Sequence, residues 1–233
     1  MISETSHPLV QKTAHYVKEK MMGEESGHDW WHVQRVWLLA QKLAIEEGAD
    51  RLVVELAALL HDIADWKFHD GDETVGPATA RAWLQSLQAP ADVTDHVCRI
   101  IATLSFKGAH VVTPMETLEG AVVQDADRLD AIGAIGIART FAYGGYVGQA
   151  IYHPDIPPVL HQSAAEYKQK RSTSLNHFYE KLFLLKDRMN TPSARRIAEE
   201  RHRYMVKYVQ RLADECYLDF PLPEEDGTPA SEE

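Results

Sequence analysis

Apolar residues recur along most of this chain every three or four positions, and hardly anywhere do they alternate with polar ones, so the pattern predicts helices rather than sheet. Helical periodicity falls near residues 7–22, 29–47, 50–65, 73–88, 91–106, 116–142, 161–189 and 192–217, and the expected fold class is all-α, a helical bundle. The breaks between these segments are chemically legible. In "EEGAD" Gly48 ends one helix and Asp50 caps the next, and "QAPAD" is expected to act similarly before Val93. Asp29 is the expected N-cap of the helix bearing "WWHVQRVW", which leaves His28 in the entrance loop, and Trp30, Trp31 and Trp37 read as core and staple residues. "YGGYVGQAIYHPDIPP", from Tyr143 to Pro158, reads as the longest irregular connection, either a functional loop or a surface excursion. Beyond Leu218, "DFPLPEEDGTPASEE" reads as a disordered acidic tail. The expected organisation is therefore one domain over residues 1–218, with its core at about 26–140, and a tail at 219–233.

Three of the apolar helices carry polar residues where an isolated polar group is costly to bury. "DRLVVELAALLHDIADW" is apolar on most sides until His61, Asp62 and Asp65, whose spacing lets the first two reach an ion lying between them and puts Asp65 on the same edge. His32 lies on the stripe of Val33, Val36, Ala40 and Leu43, which makes it core-facing. Asp127 sits in a helix lined by Val123, Ala131 and Ala134 and needs a partner there. Taken singly, His32 reads as a hydrogen-bonded core histidine and Asp127 as a salt-bridged acid. Together, His32, His61, Asp62 and Asp127 supply two imidazoles and two carboxylates, a nitrogen and oxygen set suited to one divalent ion among Mn²⁺, Mg²⁺, Co²⁺, Ni²⁺, Fe²⁺ and Zn²⁺. With only two anionic ligands such an ion keeps the Lewis acidity to activate water and polarise a phosphoryl oxygen.

Composition removes several other classes. Hydrophobic residues at 45% and charged residues at 25% of 233 suit a soluble globular protein. A formal net charge of -11 speaks against broad nucleic-acid binding, while a small anionic substrate is compatible with a local cluster of cations. Cys98 and Cys216 form no CxxC and indicate neither a disulfide framework nor a thiolate zinc site, so a reducing cytoplasm is expected. No apolar run approaches the ~18 residues of a membrane span, and the polar N-terminus lacks a signal-peptide core.

The order His32, His61–Asp62, Asp127 resembles the H…HD…D pattern of the HD-domain superfamily of metal-dependent phosphohydrolases. The strings "GHDWWHVQRVW", "HDIADWKF", "SFKG", "QDADRLDAIGAIGIART" and "HFYEKLFLLKDRM" resemble its small stand-alone bacterial branch, the YedJ/YpgQ type, over roughly residues 26 to 210. The resemblance implies an all-helical HD fold and a single-metal centre that hydrolyses phosphate ester or anhydride bonds. Nucleotides are the implied substrate class, including triphosphates cut to monophosphate and pyrophosphate. The histidine pair that supports a second metal in cyclic-dinucleotide members is not matched, since the corresponding stretch "IIATLSFKG" has Thr103 and Leu104. A non-catalytic nucleotide or metal sensor is the competing reading, as is a phosphomonoesterase or phosphodiesterase acting on another metabolite.

Phosphoryl transfer needs charge neutralisation and positioning. On the family likeness and the local charge, Lys67 and Lys107, then Arg128 and Arg139, are the candidate phosphate contacts, with His28 and Tyr143 as further substrate contacts. Asp65 is the candidate for proton handling, its other role being to hold His61. A phosphorylated small molecule is the expected partner and a homodimer the candidate assembly. Neither nucleic acid nor membrane is expected.

Overall fold

A computed structural model describes residues 7–23, 29–64, 72, 74–104, 113–159 and 172–218. Among these there is no β-strand; the elements are α1 (Pro8–Met21), α2 (Trp30–Glu47), α3 (Arg51–Leu60), α4 (Val75–Ser86), α5 (Ala91–Thr103), α6 (Leu118–Asp130), α7 (Gly133–Tyr146), a π turn (Phe178–Leu182), a 3-10 turn (Phe183–Arg188) and α8 (Pro192–Cys216). The acidic tail after Leu218 lies outside the described residues. No helix of the described residues is long and apolar enough to cross a membrane. Contacts divide the chain into two compact units, one built from residues 7–104 and 113–127 and the other from 128–218.

In the first unit α3 is the hub, packed against α1, α2 and α5. Its run from Val53 to Leu60 is buried throughout, as an all-round apolar helix requires. The Asp50 side chain caps it by accepting from the Leu52 and Val53 N–H groups, and Gly48 closes α2 in the left-handed region at φ 76. One charge interrupts the buried run: Glu55, only 4% exposed, accepts from Trp37 Nε1 at 3.0 Å and Gln41 Nε2 at 2.7 Å on α2 and from the Arg51 guanidinium at 3.3 Å. Those donors meet the cost of burying the carboxylate and fix how α2 lies on α3. Helix α6 is tied down in turn. Glu119 in its first turn accepts from the Asp50 N–H at 3.0 Å, and buried Gln124 donates to the Thr113 carbonyl at 3.2 Å.

Several sequence expectations shift here. The helix expected over 50–65 ends at Leu60, and His61 to Ala64 form a tight turn closed by Ile63 N–H donating to the Leu60 carbonyl. Helix α5 begins at Ala91 after Pro90, which offers no side-chain cap, so "QAPAD" starts the helix by restricting the backbone instead. Trp30 and Trp37 are buried as expected, but Trp31 is 52% exposed because its neighbours on the helix already fill the core-facing side.

In the second unit the helix expected over 116–142 is two helices. Ile132 turns extended at φ -124, ψ 168 and Gly133 follows at φ 77, a value that favours glycine, and a Cβ there would press to 2.9 Å from the Arg201 side chain. The junction is secured by Arg201 donating to the Leu129 carbonyl and by Arg139 paired with Asp130 at 2.8 Å. Helix α7 then runs on to Tyr146, so the first residues of the expected loop are helical; Gly144 packs so close to Ser174 that a Cβ there would make the Ser174 hydroxyl rotate away. An aromatic cluster of Phe141, Phe178, Phe183 and Tyr208, at ring separations of 5.9 to 6.3 Å, joins α7, the π and 3-10 turns and α8.

His177 precedes the π turn, and its packing has a measurable consequence. Burial, reinforced by the Lys181 ammonium, holds its imidazole far below the ordinary range, at about 3. The unfolded chain takes up a proton near pH 6.5 that the folded one refuses, so this residue's contribution to stability is lost as pH falls below that value. Urea unfolding at pH 7 and pH 5 should show His177→Gln losing less stability on acidification than the parent, by about 1 to 2 kcal/mol.

Candidate metal centre

Each of the four polar side chains singled out in the sequence arrives by a different local device. His32 lies in the first turn of α2, where its N–H donates to the Asp29 carboxylate at 2.9 Å; that cap fixes the backbone from which the ring projects. His61 closes α3 as its C-terminal cap, and Asp62 follows in the turn. Asp127 sits three residues before the end of α6 rather than mid-helix, a consequence of the break at Ile132.

The four meet. His32 Nε2 and His61 Nε2 are 3.2 Å apart, and Asp62 Oδ2 lies 3.3 Å from the first and 3.4 Å from the second. Asp127 Oδ1 lies 3.5 Å from His32 Nε2 and 3.8 Å from His61 Nε2. His32, His61 and Asp127 form a group whose ligand atoms all lie within 4.8 Å of one another, and the Asp62 distances set its carboxylate beside both imidazoles. Donors about 2.1 Å from a common ion stand roughly 3.0 Å apart at right angles and roughly 3.4 Å apart at tetrahedral angles, so the spacings about the two imidazoles suit donors sharing one cation. The imidazoles form the floor at 1% and 2% side-chain exposure, while Asp62 at 16% and Asp127 at 35% stand on the open side.

Hydrogen-bond chemistry tests the fit independently. His61 Nδ1 is 2.8 Å from the Ala58 carbonyl, which can only accept, so Nδ1 carries a hydrogen and Nε2, facing His32 Nε2, is the nitrogen that offers a lone pair once its own proton is displaced. Two ring nitrogens and two carboxylate oxygens so close need positive charge among them. The imidazole's own behaviour agrees: burial works most strongly against its protonated form, yet attraction to Asp62, a hydrogen bond with Asp62, attraction to Asp127 and the Ala58 carbonyl raise His61 to about 9. Nitrogen and oxygen donors without thiolate suit a divalent first-row ion or Mg²⁺.

The other candidates are distributed differently. His28, Asp65, Lys67 and Lys107 lie outside the described residues. Arg128 is buried and donates to the Arg188 carbonyl, Arg139 pairs with Asp130, and Tyr143 is 55% exposed on α7; all three belong to the second unit. The Ala58 carbonyl, which selects the His61 tautomer, escaped sequence reasoning because a main-chain acceptor leaves no trace in residue identity. Asp29 was legible only as a helix boundary.

The HD domain family matches residues 30–132, a span that contains His32, His61, Asp62 and Asp127. The chain is 41% identical over 201 residues to the uncharacterized protein YpgQ of Bacillus subtilis, covering 84% of this chain and 88% of that one. A crystal structure of YpgQ in complex with ADP aligns with TM-score 0.69 at 38% identity over 88% of this chain and 97% of that chain. That of an HD-superfamily hydrolase from Bacillus thuringiensis aligns with TM-score 0.70 at 44% identity over 90% of this chain and 97% of that chain. Likeness of this strength along most of the sequence, in a fold that gathers an H…HD…D quartet at one point, makes the chain a member of the HD-domain superfamily of metal-dependent hydrolases.

Proposed function

We propose that this protein hydrolyses phosphate ester or anhydride bonds of nucleotides, including cleavage of a nucleoside triphosphate to monophosphate and pyrophosphate. The observation that carries the reading is the two-histidine, two-carboxylate cradle, with imidazoles at its floor and carboxylates at its open side. The ADP held by YpgQ supports a nucleotide as the substrate class. A divalent ion among Mn²⁺, Mg²⁺, Co²⁺, Ni²⁺, Fe²⁺ and Zn²⁺, held by His32, His61, Asp62 and Asp127, would supply Lewis acidity to a phosphoryl oxygen and to water.

The chain's own residues do the rest. The Ala58 carbonyl and the Asp29 cap hold the two imidazoles in register, so little reorganisation is needed when phosphate arrives. Asp65, three residues after Asp62, is assigned the proton: it accepts from the attacking water and returns the proton to the leaving oxygen. Lys67 and Lys107 are assigned to the phosphate charge, with His28, Arg128, Arg139 and Tyr143 as further substrate contacts. Residues 1–218 are read as one HD-type functional domain working in the cytoplasm, consistent with Cys98 and Cys216 both being free thiols.

A panel of nucleotides, assayed for phosphate and pyrophosphate with each ion, tests this reading. Turnover with product identified supports it, and tight nucleotide binding without product from metal-loaded protein would favour a sensor instead. Asp65→Asn is expected to retain its ion, measured by elemental analysis, while turnover falls by about 100-fold or more. Full activity in that variant removes Asp65 from the chemistry.

A further inference from the structure

Asp127 is the most exposed of the four side chains at the metal centre, and its oxygen stands farthest from both imidazoles. It lies in the last turn of α6, where backbone carbonyls run out of helical partners and a helix is prone to fray. Here the end is closed. Ala131 N–H donates to the Arg128 carbonyl and Ile132 N–H to the Leu129 carbonyl, both at 3.2 Å, and the chain then turns away at Gly133. The missing side chain of Gly133 leaves a notch that the Arg201 stem fills: a Cβ there would come to 2.9 Å from Cγ and 3.1 Å from Cβ and Cδ of Arg201. Past that notch the guanidinium, carried by α8, reaches the Leu129 carbonyl as a second donor. Burial works against the Arg201 charge, while Asp130, the final residue of α6, and Glu200 favour it.

We propose that Arg201 is a positioning residue for the metal centre, capping α6 so that its last turn stays wound and the Asp127 carboxylate stays within reach of an ion shared with His32, His61 and Asp62. The inference rests on reading that quartet as the ion's ligands. Charge is the first reason: a cation that hydrogen-bonds the last carbonyls of a helix also meets the negative end of its dipole. Leverage is the second. Leu129 lies two positions beyond Asp127, and metal–ligand bonds tolerate displacements of only about 0.2 Å, so an unwound turn withdraws that donor. Selectivity is the third. Asp62 sits in the turn closed by Ile63 N–H on the Leu60 carbonyl, and His32 and His61 are buried on α2 and at the end of α3, so the cap acts on one ligand of the four.

Calorimetric titration of the full chain with Mn²⁺ tests this. Arg201→Met, which keeps a stem and removes the donor, should weaken ion binding by about 10- to 100-fold while the circular dichroism spectrum is retained. Arg201→Lys keeps the charge and should fall less, and it stands as the test where Arg201→Met does not fold. Amide exchange at Ala131 and Ile132, followed by mass spectrometry, should quicken in both variants. Phe178→Leu, in the aromatic cluster, should lower the melting temperature yet leave ion affinity unchanged. In an Asp127→Asn background Arg201→Met should add nothing, because the carboxylate it positions is gone. Ion affinity unchanged in the Arg201 variants, an equal loss in Phe178→Leu, or full additivity with Asp127→Asn overturns the proposal and leaves the quartet standing. An Asp127→Asn variant that binds the ion as tightly as the parent overturns the quartet and the proposal with it.

Discussion

His61→Ala is expected to weaken divalent-ion binding by about 100-fold or more and to abolish turnover with it. The ring contributes one of two nitrogens at the floor, and its Nε2 lies within 3.2 to 3.8 Å of the other three donors, so no neighbour can replace it without a backbone shift. What remains is a one-imidazole site with both carboxylates, whose charges repel without the bridging ring. Calorimetric titration with Mn²⁺ and elemental analysis after dialysis are the measurements, with His32→Ala as the matched variant. Retention of one tightly held ion per chain in either variant would remove the quartet as the metal centre.

Glu55→Ala is expected to cost about 2 to 4 kcal/mol, making it the largest stability effect of any single charge in the first unit. The carboxylate is nearly fully buried and answers three donors from two helices, so its loss strands the buried Trp37 indole N–H and takes away the partner of the half-buried Gln41 amide. For a chain of this size the melting temperature should fall by about 5 to 15 °C. Glu55→Gln keeps one acceptor oxygen and should fall less. Because Trp37 and Gln41 share α2 with His32, ion affinity should weaken alongside stability. A melting temperature unchanged by Glu55→Ala would mean that the α2–α3 packing does not depend on this network.

The sequence carried the helices well because burial imposes a period, and it carried the cluster of His32, His61, Asp62 and Asp127 because polar groups at apolar positions are conspicuous. Asp29 and Asp50 were readable as caps for the same reason: a short acceptor before an apolar-periodic run has one common use. What escaped was tertiary. Nothing local to 116–142 announces that Gly133 must adopt a left-handed turn, since the demand comes in part from Arg201, far along the chain. The "YGGY" glycines looked like loop chemistry, yet they lie in the last turn of α7, with Gly144 packed against Ser174. Arg128 and Arg139, singled out as candidate substrate contacts, also have protein partners that the sequence does not reveal, the Arg188 carbonyl and the Asp130 carboxylate.

The way the cradle is assembled also sets an order of events. His61 ends α3 and Asp127 lies in the last turn of α6, so two helices present the negative ends of their peptide dipoles near two carboxylates. An incoming phosphate would meet like charge there unless a cation had arrived before it or came with it. Phosphate binding thus depends on the cation, and affinity for the proposed nucleotide substrate measured after chelation should collapse and return on titrating the ion back. In a cell, whichever divalent ion is most freely exchanged would then govern not only how fast the protein works but whether it engages a phosphorylated substrate at all.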